Sequence, residues 1–181
     1  MVNKESFYNI SMNGRMAYAI LCIEKYVSTL YPDKDWSPLS KKMWEVTCES
    51  WDEWIDTFIE VIPQYLFEFD SYEESDFENL TKDEYELFVE LFSGVSDGEY
   101  DDCSDKVGYI INSLKLLEEV YAYSTVPTVG EESIDIILSI CAVLESDNVE
   151  VPPVELVEFS SFEERNGWGN QFNGEDLSII L

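Results

Sequence analysis

The chain has 181 residues, a length that suits one domain. It carries 39 Asp and Glu against 10 Lys and Arg, for a formal net charge of -29, with 45% hydrophobic residues. That apolar share supports a buried core. The charge repels nucleic acid and anionic membrane surfaces, which excludes direct DNA or RNA binding and leaves a basic protein or a cation as the expected partner.

After Phe7, Tyr8 and Ile10, Ser11 or Asn13 caps a first helix whose inward face is Met16, Ala19, Ile20, Ile23 and Val27. Tyr31-Pro32-Asp33 ends it. Ser37-Pro38 opens a second helix, with Ser as cap and Pro at the first helical position, burying Leu39, Met43, Trp44 and Thr47 and leaving Lys41 and Lys42 outside. Ser50 caps a third, in which Trp51, Trp54, Ile55, Phe58, Ile59 and Ile62 make a helical stripe and Pro63 ends or kinks it. That stripe reads as core rather than as a cofactor box. Thr81 to Glu84 is a capping box for a fourth helix, which turns Tyr85, Phe88, Val89 and Phe92 inward and stops at Ser93-Gly94.

Ser104 or Asp102 starts the most regular stripe, Val107, Ile110, Ile111, Leu114, Leu117, Val120 and Tyr121. Beyond Pro127 and Gly130, Ile134, Ile137, Leu138, Cys141 and Leu144 repeat the pattern as far as Ser146-Asp147-Asn148. The tail, 150–181, is irregular, and its apolar end Leu177-Ser178-Ile179-Ile180-Leu181 is expected to dock on the core. The expectation is an all-α, single-domain bundle of about six amphipathic helices with little or no strand and an irregular C-terminal tail packed on the core.

Acidity concentrates between Glu49 and Asp102, where nineteen Asp and Glu face a single base, Lys82. Its densest part has no clean helical period and reads as an ordered loop or broken helix. Aromatics are threaded through it, too many for a disordered solvating tract. Glu68, Asp70, Tyr72, Glu73, Glu74, Asp76, Phe77 and Glu78 are the candidate partner-binding residues. Charges there would steer a basic protein, while Phe69, Tyr72 and Phe77 would either anchor that protein or pin the loop to the core.

Chemistry other than binding finds little support. The chain has no histidine, so imidazole bases and Ser-His or Cys-His nucleophiles are ruled out. No phosphate-binding glycine motif is present, and Gly167-Trp168-Gly169 follows no expected strand. With so many acids, carboxylate pairs arise by chance, and a solvated face outweighs a glycosidase pair. Asp97, Glu99, Asp101, Asp102 and Asp105 form the best calcium candidate, but lack the Gly and Glu positions of an EF-hand loop. The expectation is therefore no enzyme, no cofactor and no metal.

The four cysteines, Cys22, Cys48, Cys103 and Cys141, form no C-x-x-C pair. Cys22, Cys48 and Cys141 are expected to pack as small hydrophobes in a reducing compartment. No signal peptide is read at the start, and the longest apolar tract, Met16 to Ile23, is too short to span a bilayer. The expected location is the cytoplasm.

Three stretches together resemble the small, acidic, all-helical immunity proteins of bacterial polymorphic toxin systems. They are Asn13-Gly14-Arg15-Met16-Ala17-Tyr18, the Trp-rich region 36–54 followed by Ile62-Pro63, and the tail with Gly167-Trp168-Gly169 and Leu177 to Leu181. The resemblance implies a cytoplasmic inhibitor that binds one cognate toxin domain, often a basic nuclease, and carries over no catalytic residue. The alternative is an acidic DNA mimic acting on a host or phage DNA-binding protein, which shares the charge but would compete broadly with DNA.

Overall fold

A nineteen-residue helix, Met12–Leu30 (α1), is the axis of the fold, and every residue from Met12 to Glu24 is buried. A helix buried all round lies inside a protein rather than on it. The sequence reading gave it a single inward face; the remaining sides are covered by two later helices, Lys106–Glu119 and Glu131–Ser146, and by the C-terminal tail. The structure is a computed structural model that describes residues 2–99, 104–122 and 124–181. Within these, α2 is Ser37–Trp44, α3 Trp51–Phe58, α4 Pro63–Leu66, α5 Lys82–Phe92, α6 Lys106–Glu119 and α7 Glu131–Ser146. The described residues contain no strand, only one isolated antiparallel bridge between Ile10 and Ser161. One continuous apolar cluster draws side chains from all seven helices. The architecture is all-α, with one helix more than the periodicity suggested.

The extra helix comes from Pro63. It ends the 3₁₀ turn Ile59–Val61 that prolongs α3, and it then opens the one-turn α4, where a missing N–H costs nothing. Other boundaries follow local chemistry closely. Ser11 Oγ accepts from Gly14 N, and the Thr81–Glu84 capping box is complete in both directions. Three caps differ from expectation. Trp36, not Ser37, precedes α2. Ser50 precedes α3, but its hydroxyl donates to Glu53 Oε2 at 2.6 Å rather than capping backbone. Asp105 caps α6 by accepting from Gly108 N at 2.7 Å, where Ser104 or Asp102 was expected, and Asp102 lies outside the described residues.

The tail docks, but through polar groups as much as apolar ones. Phe172, Leu177 and Ile180 pack on the core, while Ile179 and Leu181 stay 53% and 43% exposed. The anchor is Glu24, a fully buried carboxylate of α1. It accepts from Ser40 Oγ, from Trp44 Nε1 at 2.8 Å, from Ser178 Oγ at 2.6 Å and from Ile179 N at 2.9 Å. Four neutral donors thus replace water around a buried charge.

A second strap covers the N-terminus of α1. Asn13 N donates to Trp168 O at 3.0 Å, and Ser11 N to Ser160 O at 2.9 Å. The Asn13 amide donates to Gly169 O and Asn170 O, and its Oδ1 accepts from Trp51 Nε1 at 2.8 Å. These bonds satisfy donors that a helix start leaves orphaned. Gly169, at φ +81, passes so close to Ser11 that any Cβ would overlap its hydroxyl. Gly167-Trp168-Gly169 is therefore a capping strap.

Arg15 is the third buried polar group of α1. Its guanidinium donates to the carbonyls of Phe7, Val129 and Gly130 and to Ser133 Oγ, and it lies over the Phe162 ring. Burial pushes its pKa down to about 10, with the Tyr121 phenol acting in the opposite direction. Cys22 and Cys141 are buried as expected, whereas Cys48 is exposed, its thiol directed to Phe172 O at the surface. Cys103 lies outside the described residues.

Candidate functional site

The acidic segment is an ordered loop that crosses from α4 to α5, with only a 3₁₀ turn at Tyr72–Glu74. Much of its order comes from Glu60, an acid that the apolar stripe of the third helix leaves out. The Glu60 carboxylate, in the turn after α3, accepts from the backbone N–H groups of Glu78 at 2.8 Å, Asn79 at 3.0 Å and Leu80 at 2.6 Å. Asn79 Nδ2 adds a bond to Asp56 O at 3.0 Å. Three successive amides focused on one carboxylate fix the C-terminal half of the loop.

The aromatic residues fix the other half. Phe77 lies edge-on to Phe69 at 5.9 Å and 5.8 Å from Tyr85 of α5. Tyr72 also meets Tyr85 at 5.8 Å, and its hydroxyl donates to Leu80 O at 3.0 Å. Tyr72 and Phe77 are half-buried against the core, and Phe69, itself half-buried, packs on Phe77. The packing of their rings pins the loop to the core.

The carboxylates point the other way. Glu68, Asp70, Glu73, Glu74, Asp76 and Glu78 are all exposed. Glu73 is paired with Lys82, whose ammonium holds its pKa below the usual carboxylate range. Among the described residues no ion pair engages the other five. A recess of about 170 Å³ is lined by Glu68, Asp76, Phe69 and Phe77 together with Glu60 and Tyr65. The segment thus divides into half-buried aromatics and exposed carboxylates, of which Glu68 and Asp76 share the recess with Phe77.

Of the calcium candidate, Asp97, Glu99 and Asp105 are among the described residues. Asp105 is committed to structure: besides capping α6 it accepts from Ser96 Oγ and from Gly98 N at 3.1 Å. Asp97 Oδ1 accepts from Glu99 N, and Asp101 and Asp102 lie outside the described residues. Among the described residues no three His, Cys, Asp or Glu are placed to hold a metal ion. No helix among them is long and apolar enough to cross a membrane.

A second concavity went unnoticed in the sequence, because its walls come from three distant stretches. It lies between the start of α3, the end of α6 and the strap at 165–171. Comparisons of the chain with protein-family models, with curated proteins and with solved structures give no match, so function is read from the chain's own residues.

Proposed function

We propose that the protein is an inhibitor of the immunity type, which binds one cognate bacterial toxin domain through the acidic face at 68–78 and blocks it without catalysis. The observation that carries this reading is the set of five exposed carboxylates without an ion pair among the described residues, Glu68, Asp70, Glu74, Asp76 and Glu78, on a loop held by Glu60 and by aromatic packing. A preorganised anionic face loses little conformational entropy on docking and steers a basic partner from a distance. The net charge of -29 extends that field over the whole molecule.

A nuclease is the toxin class that fits best, since an enzyme that holds phosphate presents a positive surface which an acidic protein can cover. Such an inhibitor works in the cytoplasm, where the toxin meets its target. The test is co-expression with the C-terminal toxin domain encoded by the neighbouring large reading frame. Restored growth together with co-purification is the expected result. No rescue and no complex would overturn the cognate-toxin reading, and co-purification with several host DNA-binding proteins, displaced by duplex DNA, would replace it with DNA mimicry.

A further inference from the structure

The second concavity has a chemistry of its own. Its volume is about 410 Å³, within the range of ligand-binding clefts. Trp51 and Trp168 meet edge to face on its lining, with ring centres 5.2 Å apart. Glu49, Asp52 and Glu118 bring three carboxylates to the same space.

Glu118 is the unusual member. It is only 9% exposed, and among the described residues no hydrogen bond or ion pair engages its carboxylate, although Lys115 on the same helix pairs with the adjacent Glu119. Burial, reinforced by Glu119, Asp52 and Asp56, pushes its pKa upward against the pull of Lys115. Its carboxylate oxygens still reach solvent at the cleft, and a mostly buried acid with no donor among the described residues, set among other acids, is a site that a cation would relieve.

The walls are built to stay in place. The Trp51 indole N–H is tied to Asn13 Oδ1, and Trp168 is held where its own carbonyl caps α1. The strap reaches Trp168 through Arg165 and Asn166 at φ +46 and +55, a left-handed conformation that non-glycine residues seldom adopt. Strain of this kind is maintained by the surrounding packing and is concentrated at functional sites.

We propose that this cleft receives an arginine side chain of the basic partner, with the guanidinium paired to Glu118 and Asp52 and set against the indoles of Trp51 and Trp168. Arginine suits it better than lysine, because a planar guanidinium both stacks on aromatic faces and pairs bidentately with carboxylate. Arg165, the one base on the lining, is exposed at the rim and forms no ion pair among the described residues. The identity of the partner rests on the inhibitor reading above, while the cation chemistry of the cleft stands independently.

The test uses the intact protein and the probe peptide acetyl-Gly-Arg-Gly-amide, following the indole N–H signals of Trp51 and Trp168 by NMR, assigned with Trp51→Phe and Trp168→Phe. Saturable shifts of both signals are expected at millimolar peptide. The uncharged citrulline peptide should bind at least roughly fivefold more weakly, as should arginine peptide to Glu118→Gln. Arg165→Ala should leave affinity unchanged or tighten it. Equal, non-saturating responses to arginine and citrulline would overturn the proposal. So would preferential binding of acetyl-Gly-Glu-Gly-amide lost in Arg165→Ala, which would mark an anion site. Arginine binding in the cleft combined with unchanged toxin affinity of Glu118→Gln would overturn the assignment to the partner alone, without touching the role of the acidic face.

Discussion

The Ser178 hydroxyl donates to Glu24 Oε1 across 2.6 Å, although the two residues are 154 positions apart in the chain. This bond and that of Ile179 N close the tail over the central helix, and they do so on a charge that has no basic partner among the described residues. Glu24→Gln should therefore cost about 3 kcal/mol, because the new amide turns donors toward donors. Ser178→Ala removes one of the four bonds to Glu24, together with those its hydroxyl accepts from Ile180 N and Leu181 N, and should cost about 1.5 kcal/mol. Urea denaturation measures both, and a Glu24→Gln variant as stable as the parent would show that the carboxylate is not the tail's anchor.

Two glycines with the same backbone hand separate strain from crowding. Gly94 has φ +71 and open space around its Cβ position, whereas Gly169 has φ +81 and faces Ser11. Gly94→Ala should cost about 1 kcal/mol, the left-handed penalty alone. Gly169→Ala adds a steric overlap with the cap of α1 and should cost about 3 kcal/mol or more. Thermal melting of the two variants compares them directly; equal losses would mean that the strap gives way without disturbing α1.

Much of the fold was legible in the sequence because it is written locally. The Thr81–Glu84 box, the Ser11 cap and the stripes of α6 and α7 each need only neighbours within a few residues. What could not be read depends on partners far along the chain. Arg15, Glu24 and Asn13 look like surface residues of an amphipathic helix until Val129, Ser178 and Gly169 arrive opposite them. The acidic loop stood out by composition, but its clamp, Glu60, was one acid among nineteen. The cleft at Glu118 had no signal at all, since Trp51, Glu118 and Trp168 share no local pattern.

The Glu60 clamp makes the acidic loop a rigid surface, and that rigidity can be measured. Glu60→Ala should raise hydrogen-exchange rates of the 78–80 amides by about tenfold, equivalent to ~1.4 kcal/mol of lost protection. Exchange in α7, which packs chiefly on α1 and α6, should stay unchanged. Unaltered rates at 78–80 would mean that the aromatic packing alone orders the loop.

Stability should rise on mild acidification. Burial first, and neighbouring acids second, raise the pKa of Glu118; burial also raises that of Glu45. For both, the folded state takes up a proton before the unfolded chain does, so their destabilising charge is relieved as pH falls toward the unfolded value. Asp147 has the opposite sign: Lys106 and Tyr26 hold it below its usual range, so its contribution is full near neutrality and is lost as pH falls through the depressed folded value. With the general relief of self-repulsion, Tm should climb by roughly 3 °C from pH 7.5 to about 5 and fall again below about 3.5. Salt at pH 7.5 should raise Tm as well, by screening the same repulsion. A Tm that drops steadily from pH 7.5 downward would contradict this.

The association rate with the toxin domain identified by growth rescue tests the central claim most directly. It is measured for the natural chain and for the Asp70→Lys, Glu74→Lys, Asp76→Lys variant at low and high salt. Glu73 is left alone because Lys82 already neutralises it. The natural chain should associate fast at low salt and slow steeply as salt rises, and the variant should be at least about tenfold slower at low salt with a flatter dependence. Equal rates and equal salt dependence for the two chains would place the interface away from residues 68–78.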